Sequence, residues 1–361
     1  MVAGAGLMKI LDRYLFRAVA TATLVALLVL LLLELFLTLL VELKGVGKGD
    51  YGLMAALHYL LLIQPQRLYE LFPMALLVGG LLGMGTLASG SELIVMRAAG
   101  LSLTRLTGSV VWAGLLLSVA VMLVGEFIAP PLEQFAREQR AIAKGENLAI
   151  RGGRGFWARD GDYFIHVQAV LPGVRLADIR MFKVNPDARL ETVTRAEGAR
   201  YEKGRWLLES VSRSLLDGDT VQTEFLTSLS VASAISPQIL DVLAADPDEL
   251  SIRDLQIYID YLERNGLDAQ SYRLALWRKA LAPLTYLAML VIAMPFVFGP
   301  QRTAGAGQRL LIGLLLGLAF FLINYLLGNV VLLYGYSPLA GAALPSLLFL
   351  GVGFYALRRL R

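Results

Sequence analysis

Four basic residues have the chemistry and the spacing of an anion-binding surface. Lys44 and Lys48 follow the first long apolar segment, and Arg137 and Arg140 lie three positions apart in a later segment of helical composition. Residues three apart share one face of a helix, so the two arginine side chains are expected to point in the same direction. Ammonium and guanidinium groups bind phosphate and carboxylate oxygens through charge-assisted hydrogen bonds. These residues are therefore a candidate site for a ligand that carries such groups.

The same residues allow two plainer interpretations. Lysines and arginines at the edge of a membrane extend their charged ends toward water without binding any ligand. The two arginines could also pair with Glu133 and Glu138, which lie within one helical turn of them. Charge alone favours these plainer interpretations over a ligand site.

One acidic residue, Glu34, lies inside the first apolar segment. An ionisable side chain is costly in a membrane, and by default it has a functional or paired role. A position beside an interior, water-filled surface would also make it tolerable. The residue pattern leaves these alternatives open.

A short polar stretch between two apolar segments has the features of a small, surface-lying helix. Its marked residues are Ser91, Glu92, Met96, Arg97 and Gly100. Ser91, or Ser89 just before it, can cap the helix, Glu92 would lie in the first turn, and Gly100 would end it. Such a helix would present Glu92, Met96 and Arg97 to a partner protein. The residues support a partner-binding helix and a plain connector equally.

Several classes of function are poorly supported by the residues present. The chain has no cysteine and two histidines, His58 and His166, which are too few and too far apart for a metal site. No GxxxxGK[ST] sequence occurs, so energy for any active transport must come from another chain. There is no Ser-His-Asp order, no glycosidase-like carboxylate pair and no HExxH sequence. We therefore expect no bound metal, no cofactor and no catalytic residues in this chain.

The elements that must position these residues are membrane helices. Of 361 residues, 57% are hydrophobic, against roughly 45–50% in soluble domains. A helix of about 20 apolar residues spans a bilayer, and the sequence predicts six of these spans. They cover about 18–41, 71–89, 105–128, 277–298, 309–333 and 339–357. The first run is longer than a cleaved signal and lacks a cleavage site, so we interpret it as a retained helix.

Basic residues beside the spans predict the orientation. Four clusters fall on one side of a six-span arrangement: Lys9, Arg13 and Arg17; Arg97 and Arg105; Arg302 and Arg309; and Arg358, Arg359 and Arg361. The positive-inside rule places that side in the cytoplasm. Both termini are then cytoplasmic, and residues 129–276 lie outside. This explains the net charge of +4 better than nucleic-acid binding does.

The region outside the membrane has the pattern of a β domain between two helical connectors. Residues 156–158 and 163–167 flank a hairpin signal at 159–162, and further strand patterns cover 179–184, 189–195, 205–211 and 221–229. Several short strands at this spacing favour a sandwich or a jelly-roll-like sheet. The predicted domains are 1–130 with spans 1–3 and the short helix at about 89–100, the connector 131–149, the β domain 150–246, the return connector 247–276, and spans 4–6 at 277–361.

Motifs along nearly the whole chain resemble one family, the LptF/LptG permeases of the lipopolysaccharide-export ABC transporter. Within this family, the chain resembles the LptG branch more than the LptF branch. They are LDRY at 11–14, FPMA at 72–75, SEL at 91–93, MRAAG at 96–100, GEFIAP at 125–130, GFWARDG at 155–161, the stretch 250–277 and FGP at 298–300. No single motif is decisive, but their order is specific.

The resemblance implies a function and a set of partners. The β domain would be a periplasmic jelly roll, and the protein would lie in the bacterial inner membrane. Partners would be an LptF-like permease subunit in a heterodimer, an LptB-like ATPase dimer that uses ATP and Mg, and an LptC-like protein that crosses the membrane once. The helix from Glu92 to Gly100 resembles the coupling helix that fits the ATPase.

The resemblance also assigns the substrate contacts. Arg137 and Arg140 match positions around the lipopolysaccharide path, and Lys44 falls in the basic region after the first span. Some relatives have further basic residues where this chain has Thr38 and Gly45, and Lys48 is a candidate to compensate.

Three other classes of function remain as alternatives. A permease for another lipid or for lipoproteins differs in the placement of its outer domain. A membrane scaffold without transport would have no ATPase partner. A membrane-embedded enzyme is the least supported, because no catalytic constellation occurs.

Overall fold

A computed structural model describes residues 2–145, 155–171, 175–185, 187, 189–202, 204–217, 220–232, 237, 239–240, 246–298 and 305–359. Arg302 and Arg361, the side chain of Lys9, and Gly299 and Pro300 of the last motif lie outside the described residues. The chain divides into two compact units. The helical unit contains Met1–Leu40, Leu62–Leu132 and Gln270–Arg361, and the sheet unit contains Val41–Leu61 and Glu133–Ala269.

Helices account for most of the described chain. In order they are α1 Val2–Glu42, α2 Leu53–Leu62, α3 Gln64–Ser89, α4 Glu92–Ala98, α5 Leu103–Leu123, α6 Ala129–Ala143, α7 Ile252–Arg264, α8 Gln270–Ala280, α9 Ala282–Phe298, α10 Ala306–Tyr334 and α11 Pro338–Arg359. A π-helical turn, Val124–Ile128, joins α5 to α6, and short 3₁₀ turns cover Leu43–Gly45 and Pro247–Glu249. Helical structure thus continues from the third apolar segment through this turn to Ala143.

The apolar helices agree with the predicted spans. Within the described residues, five segments are long and apolar enough to cross a membrane: Ile10–Gly45, Gln64–Ser89, Leu103–Ala143, Ala306–Tyr334 and Pro338–Arg359. The pair α8 and α9 is bent by 56° and makes a sixth span if it crosses as one unit. The fourth predicted span is thus a broken helix, since α8 ends at Ala280 and α9 starts at Ala282.

Glycines on α3 let α1 pack closely against it. A Cβ atom at Gly79 would lie 2.6 Å from the Thr23 backbone nitrogen, and one at Gly83 would lie 2.6 Å from the Ala18 carbonyl oxygen. Small residues allow this approach, which explains the glycine-rich sequence of α3. In the most apolar part of α3, 67% of residues are buried, compared with 11% in α1 and 11% in α10. α3 is therefore a core helix, while α1 and α10 expose most of their apolar surface.

The sheet unit contains a six-stranded antiparallel sheet with the order β1-β2-β3-β4-β5-β6. The strands are β1 Phe156–Asp160, β2 Tyr163–Leu171, β3 Arg175–Val184, β4 Leu190–Glu202, β5 Arg205–Asp217 and β6 Thr220–Val231. Asp160 pairs with Tyr163, and Gly161 between them takes a positive φ of 58°, as a tight hairpin requires. The predicted β domain and its first hairpin are confirmed.

The topology of the described strands is a sequential meander. Each strand pairs with its neighbours in the sequence, whereas a jelly roll contains Greek-key connections. Alternation along the strands makes one face apolar, with a cavity of about 30 Å³ lined by Ile165, Val167, Leu176, Ile179, Met181, Ala199, Trp206, Leu208 and Val231. The sheet therefore has a continuous apolar face.

Candidate functional site

A buried carboxylate binds two basic residues of the sheet unit. Glu42, the last residue of α1, is 5% exposed. Its two oxygens accept hydrogen bonds from Arg140, at 2.6 Å from Nη2 and 3.1 Å from Nε. Lys144 Nζ lies 3.3 Å from the same carboxylate, and the Tyr51 hydroxyl donates to it at 3.0 Å. We call Glu42, Tyr51, Arg140 and Lys144 the Glu42 cluster.

Aromatic rings and a glycine turn hold this cluster together. The Arg140 guanidinium lies 5.1 Å from the centre of the Tyr59 ring, and Lys144 Nζ lies 4.5 Å from that of Tyr51. Both are cation–π contacts. A Cβ atom at Gly49, where φ is +54°, would lie 2.9 Å from the Ala143 carbonyl oxygen. The turn after α1 can therefore pack against the C-terminal end of α6 only with a glycine at this position.

The Tyr51 hydroxyl is a fixed donor in the cluster. Burial, together with its hydrogen bond to Glu42, raises the pKa of Tyr51 to about 12. The hydroxyl therefore keeps its proton at any physiological pH. With one carboxylate and two cations, the cluster has a formal charge of +1 when all three are ionised.

The other predicted arginine, Arg137, lies between two carboxylates. Its Nε is 3.2 Å from Glu133, and its Nη2 donates to Glu249, which follows the sheet in the sequence. Burial raises the pKa of Glu249 to about 7, and the neighbouring Arg137 guanidinium opposes this rise. The ionic state of Glu249 thus changes close to neutral pH.

The four predicted basic residues differ in their surroundings. Arg137 and Arg140 lie on one helix as expected, but carboxylates occupy both. Arg137 pairs with Glu133, as the plainer interpretation proposed, while Arg140 pairs with Glu42 instead of Glu138. Lys44 and Lys48 are exposed.

The sequence interpretation missed Glu42, Tyr51, Lys144 and Glu249. A local signal existed for Lys144, which lies four residues after Arg140 on the same helical face. Glu42 and Arg140 are 98 positions apart, and Arg137 and Glu249 are 112 apart. No spacing rule connects residues at such separations.

Glu34 has a partner inside the helical unit. Arg67 Nε lies 3.1 Å from its carboxylate, and the Thr38 hydroxyl donates to it at 2.7 Å. Arg67 also pairs with Glu70 at 2.7 Å, and Gln66 donates to Glu70 at 2.9 Å. Of the predicted roles for Glu34, the structure shows a paired one.

The short polar stretch forms the helix α4, and its end was predicted correctly. Gly100 takes a φ of +94°, and the Leu101 N–H donates to the Met96 carbonyl at 3.2 Å, which is the Schellman arrangement. The predicted serine cap was wrong: Ser91 precedes the helix at a φ of 60°, and its side chain makes no capping bond. In this left-handed conformation it lacks the extended backbone that usual N-cap residues have.

The exposed face of α4 differs from the predicted one. Glu92 accepts a hydrogen bond from the Tyr14 hydroxyl of α1 at 2.7 Å, and Met96 is half-buried. Arg97 is exposed as predicted, next to Ile94 at 49% and Val95 at 67% exposure. Two large apolar side chains and one cation are thus exposed on this helix.

The comparison with known sequences decides the family. A sequence model described as "Lipopolysaccharide export system permease LptF/LptG" matches residues 13–359. The chain belongs to the LptF/LptG family. The LptG permease protein of Escherichia coli K12 is 34% identical over 357 residues, covering 97% of this chain and 98% of that protein. The Haemophilus influenzae LptG is 33% identical over 355 residues, covering 97% and 99%. Apolar helices and family membership together indicate a multi-pass protein of the inner membrane.

Proposed function

We propose that this chain is the permease subunit of an ABC transporter that extracts lipopolysaccharide from the outer leaflet of the inner membrane. A partner subunit supplies the energy by ATP hydrolysis, and the lipid passes to a periplasmic bridge toward the outer membrane. The observation that carries the proposal is similarity along 97% of the chain to proteins named lipopolysaccharide export permeases. Because both the spans and the β domain are included in the match, a shared function is better supported than a shared segment.

The proposed topology has cytoplasmic termini and a periplasmic sheet domain. Basic residues near the ends of the spans support it, since Arg358 and Arg359 lie in the last turn of α11 and Arg97 is exposed in α4. Arg309 differs, because it is 4% exposed at the start of α10. The support for this topology therefore comes from the exposed cations and not from Arg309.

The proposed path for the acyl chains follows the two spans with the least buried surface. Only 11% of the most apolar part of α1 and of α10 is buried within this chain. These two helices, with those of a related permease subunit, would line a cavity open to the outer leaflet. Moving a CH₂ group from an apolar environment into water costs about 0.8 kcal/mol. Extracting whole acyl chains therefore works against a large hydrophobic cost and needs ATP. The apolar face of the sheet would shield the chains afterwards.

The proposed contacts for the lipid phosphates are Lys44, Lys48, Arg137 and Arg140. The two lysines are exposed and available as they stand. Each arginine carries a carboxylate partner, so a phosphate has to share or replace that partner. Two of the four proposed phosphate contacts thus already form ion pairs with carboxylates of this chain.

The proposed coupling to the ATPase goes through α4. Ser91, Glu92, Met96, Arg97 and Gly100 define this helix, and Ile94, Val95 and Arg97 offer the exposed surface that a groove would take. The Tyr14–Glu92 hydrogen bond gives α4 a direct connection to α1. A push on α4 would therefore reach a helix proposed to line the cavity. The ATPase partner would be LptB-like, using ATP and Mg, and an LptF-like subunit and an LptC-like protein would complete the complex.

The experiment that tests this proposal is affinity purification of the tagged protein in mild detergent, followed by mass spectrometry and lipopolysaccharide crosslinking. We expect an ATPase and a related but distinct permease chain to copurify. Replacing Arg137 and Arg140 by alanine should weaken crosslinking without affecting assembly, whereas Arg264→Ala, an exposed matched control, should change neither. Recovery of this chain alone in several detergents would favour a scaffold. Unchanged crosslinking would contradict the phosphate contacts.

A further inference from the structure

The Glu42 carboxylate is bound by Arg140 in the way that a phosphate would be. Its two oxygens take the Nε and Nη2 atoms of the guanidinium at 3.1 and 2.6 Å. This is the two-point arrangement by which arginine also binds phosphate. An anion that uses the same edge of Arg140 must first displace Glu42.

The other donors of the cluster converge on the same carboxylate. Lys144 Nζ and the Tyr51 hydroxyl lie 3.3 and 3.0 Å from one of its oxygens. Two cations and a hydroxyl around one anion are a donor set suited to a phosphate monoester, which has a charge of about −1.5 to −2 at neutral pH. A single carboxylate leaves the cluster with a charge of +1, so a phosphate matches the cations better than Glu42 does.

The surroundings allow such an exchange. The Arg140 side chain is 34% exposed, while those of Glu42 and Lys144 are 5% and 6% exposed. An anion can therefore approach Arg140 from one open side.

We propose that Glu42 is a built-in competitor for the phosphate groups of the cargo. Without cargo, Glu42 occupies Arg140 and Lys144 and keeps both cations paired. A phosphate monoester on the lipid replaces it, and Glu42 thereby sets the affinity for phosphate and lowers that for weaker anions. This inference rests on the proposed function, because it concerns the proposed phosphate contact at Arg140.

The test uses the complete purified transporter and measures the lipid concentration that gives half-maximal crosslinking. Phosphorylated lipopolysaccharide, its dephosphorylated form and inorganic phosphate are the probes. Glu42→Gln should raise the affinity for phosphorylated lipid about tenfold, the effect of removing one competing charge-assisted hydrogen bond. It should leave the dephosphorylated lipid unchanged. Glu42→Asp, which keeps the charge, should behave like the wild type. Glu138→Gln on the same helix is the matched control, and thermal unfolding checks that each variant is folded.

The outcomes separate this inference from the proposed function. If Arg140→Ala leaves the affinity for phosphorylated lipid unchanged, the phosphate contact fails and this inference fails with it. If Arg140→Ala weakens binding but Glu42→Gln does not strengthen it, only the competitor role is refuted. An equal gain with dephosphorylated lipid would also refute it. Inorganic phosphate is measured by the concentration that half-inhibits crosslinking, and a gain confined to it would refute the competitor role for the lipid and assign the exchange to free phosphate.

Discussion

The ionic network around Arg67 predicts that replacing the shared cation costs more stability than replacing one of its two carboxylate partners. Arg67 lies 3.1 Å from Glu34 and 2.7 Å from Glu70, with side-chain exposures of 29% for Arg67 and 20% for Glu34. At an effective dielectric constant of about 20, a charge pair at the first of these distances is worth about 5 kcal/mol before desolvation is subtracted. Replacing Arg67 leaves two carboxylates without their cation. Replacing Glu34 leaves Arg67 with Glu70.

We therefore expect Arg67→Met to lower the free energy of unfolding by about 3–4 kcal/mol, the range for removing one partner of a poorly solvated ion pair. Glu34→Gln should lower it by only about 1 kcal/mol, because the amide can still bond to its neighbours. In the double variant the isolated carboxylate at position 34 is gone. The double variant should therefore lose about 1–2 kcal/mol less unfolding free energy than the two single variants lose in sum.

The measurement is equilibrium unfolding of the purified protein in mixed detergent micelles, followed by circular dichroism during titration with sodium dodecyl sulfate. Arg264→Met is the control, because the pair of Arg264 with Asp260 is exposed and should contribute less than about 1 kcal/mol. Equal costs for Arg67→Met and Glu34→Gln would contradict the reasoning. Strict additivity in the double variant would show that the two side chains are not coupled.

Three further perturbations test other parts of the structure. Gly79→Ala should destabilise the protein by about 1–3 kcal/mol in the same titration, because its Cβ would overlap the backbone of α1, while Gly108→Ala, with open space around it, should be neutral or slightly stabilising. The pKa of Glu249 is raised to about 7 from an ordinary value of 4.5, so the free energy of unfolding should fall by up to about 3 kcal/mol as the pH rises from 4.5 through 7. Glu249→Gln should remove this loss. An identical pH profile for the variant and the wild type would contradict the role of Glu249. Tyr14→Phe removes the hydrogen bond to Glu92. It should reduce lipid-stimulated ATP hydrolysis in the assembled complex more than basal hydrolysis. An equal reduction of both rates would show that the hydrogen bond has only a structural role.

The spans and strands could be predicted from the sequence because their signals are local. A run of about 20 apolar residues is long enough to cross a bilayer wherever it occurs, and the predicted segments match α1, α3, α5, α10 and α11. The strand patterns and turn residues likewise located the β domain. The bend between α8 and α9 and the sequential strand order were not predicted. Bends and strand pairing depend on what the neighbouring elements allow, and composition carries little information about that.

The candidate site shows the same division. Its cations could be identified from the sequence, because charge beside an apolar segment is visible in one dimension. The end of α4 at Gly100 was also predictable, since a positive φ after a helix favours glycine. The side of α4 that remains exposed was not, because this depends on which neighbour covers Leu93.

The sequence by itself determined the membrane helices, the inserted β domain, the cations and the family. Only the tertiary structure decided what each charge faces: Glu42 for Arg140, Glu249 for Arg137, and Arg67 for Glu34. The physical reason is that an ion pair depends on a separation of a few ångströms in space, whereas Glu42 and Arg140 are 98 positions apart in the chain. Their distance is set by the packing of the turn after α1 against the end of α6, and local patterns do not encode that packing.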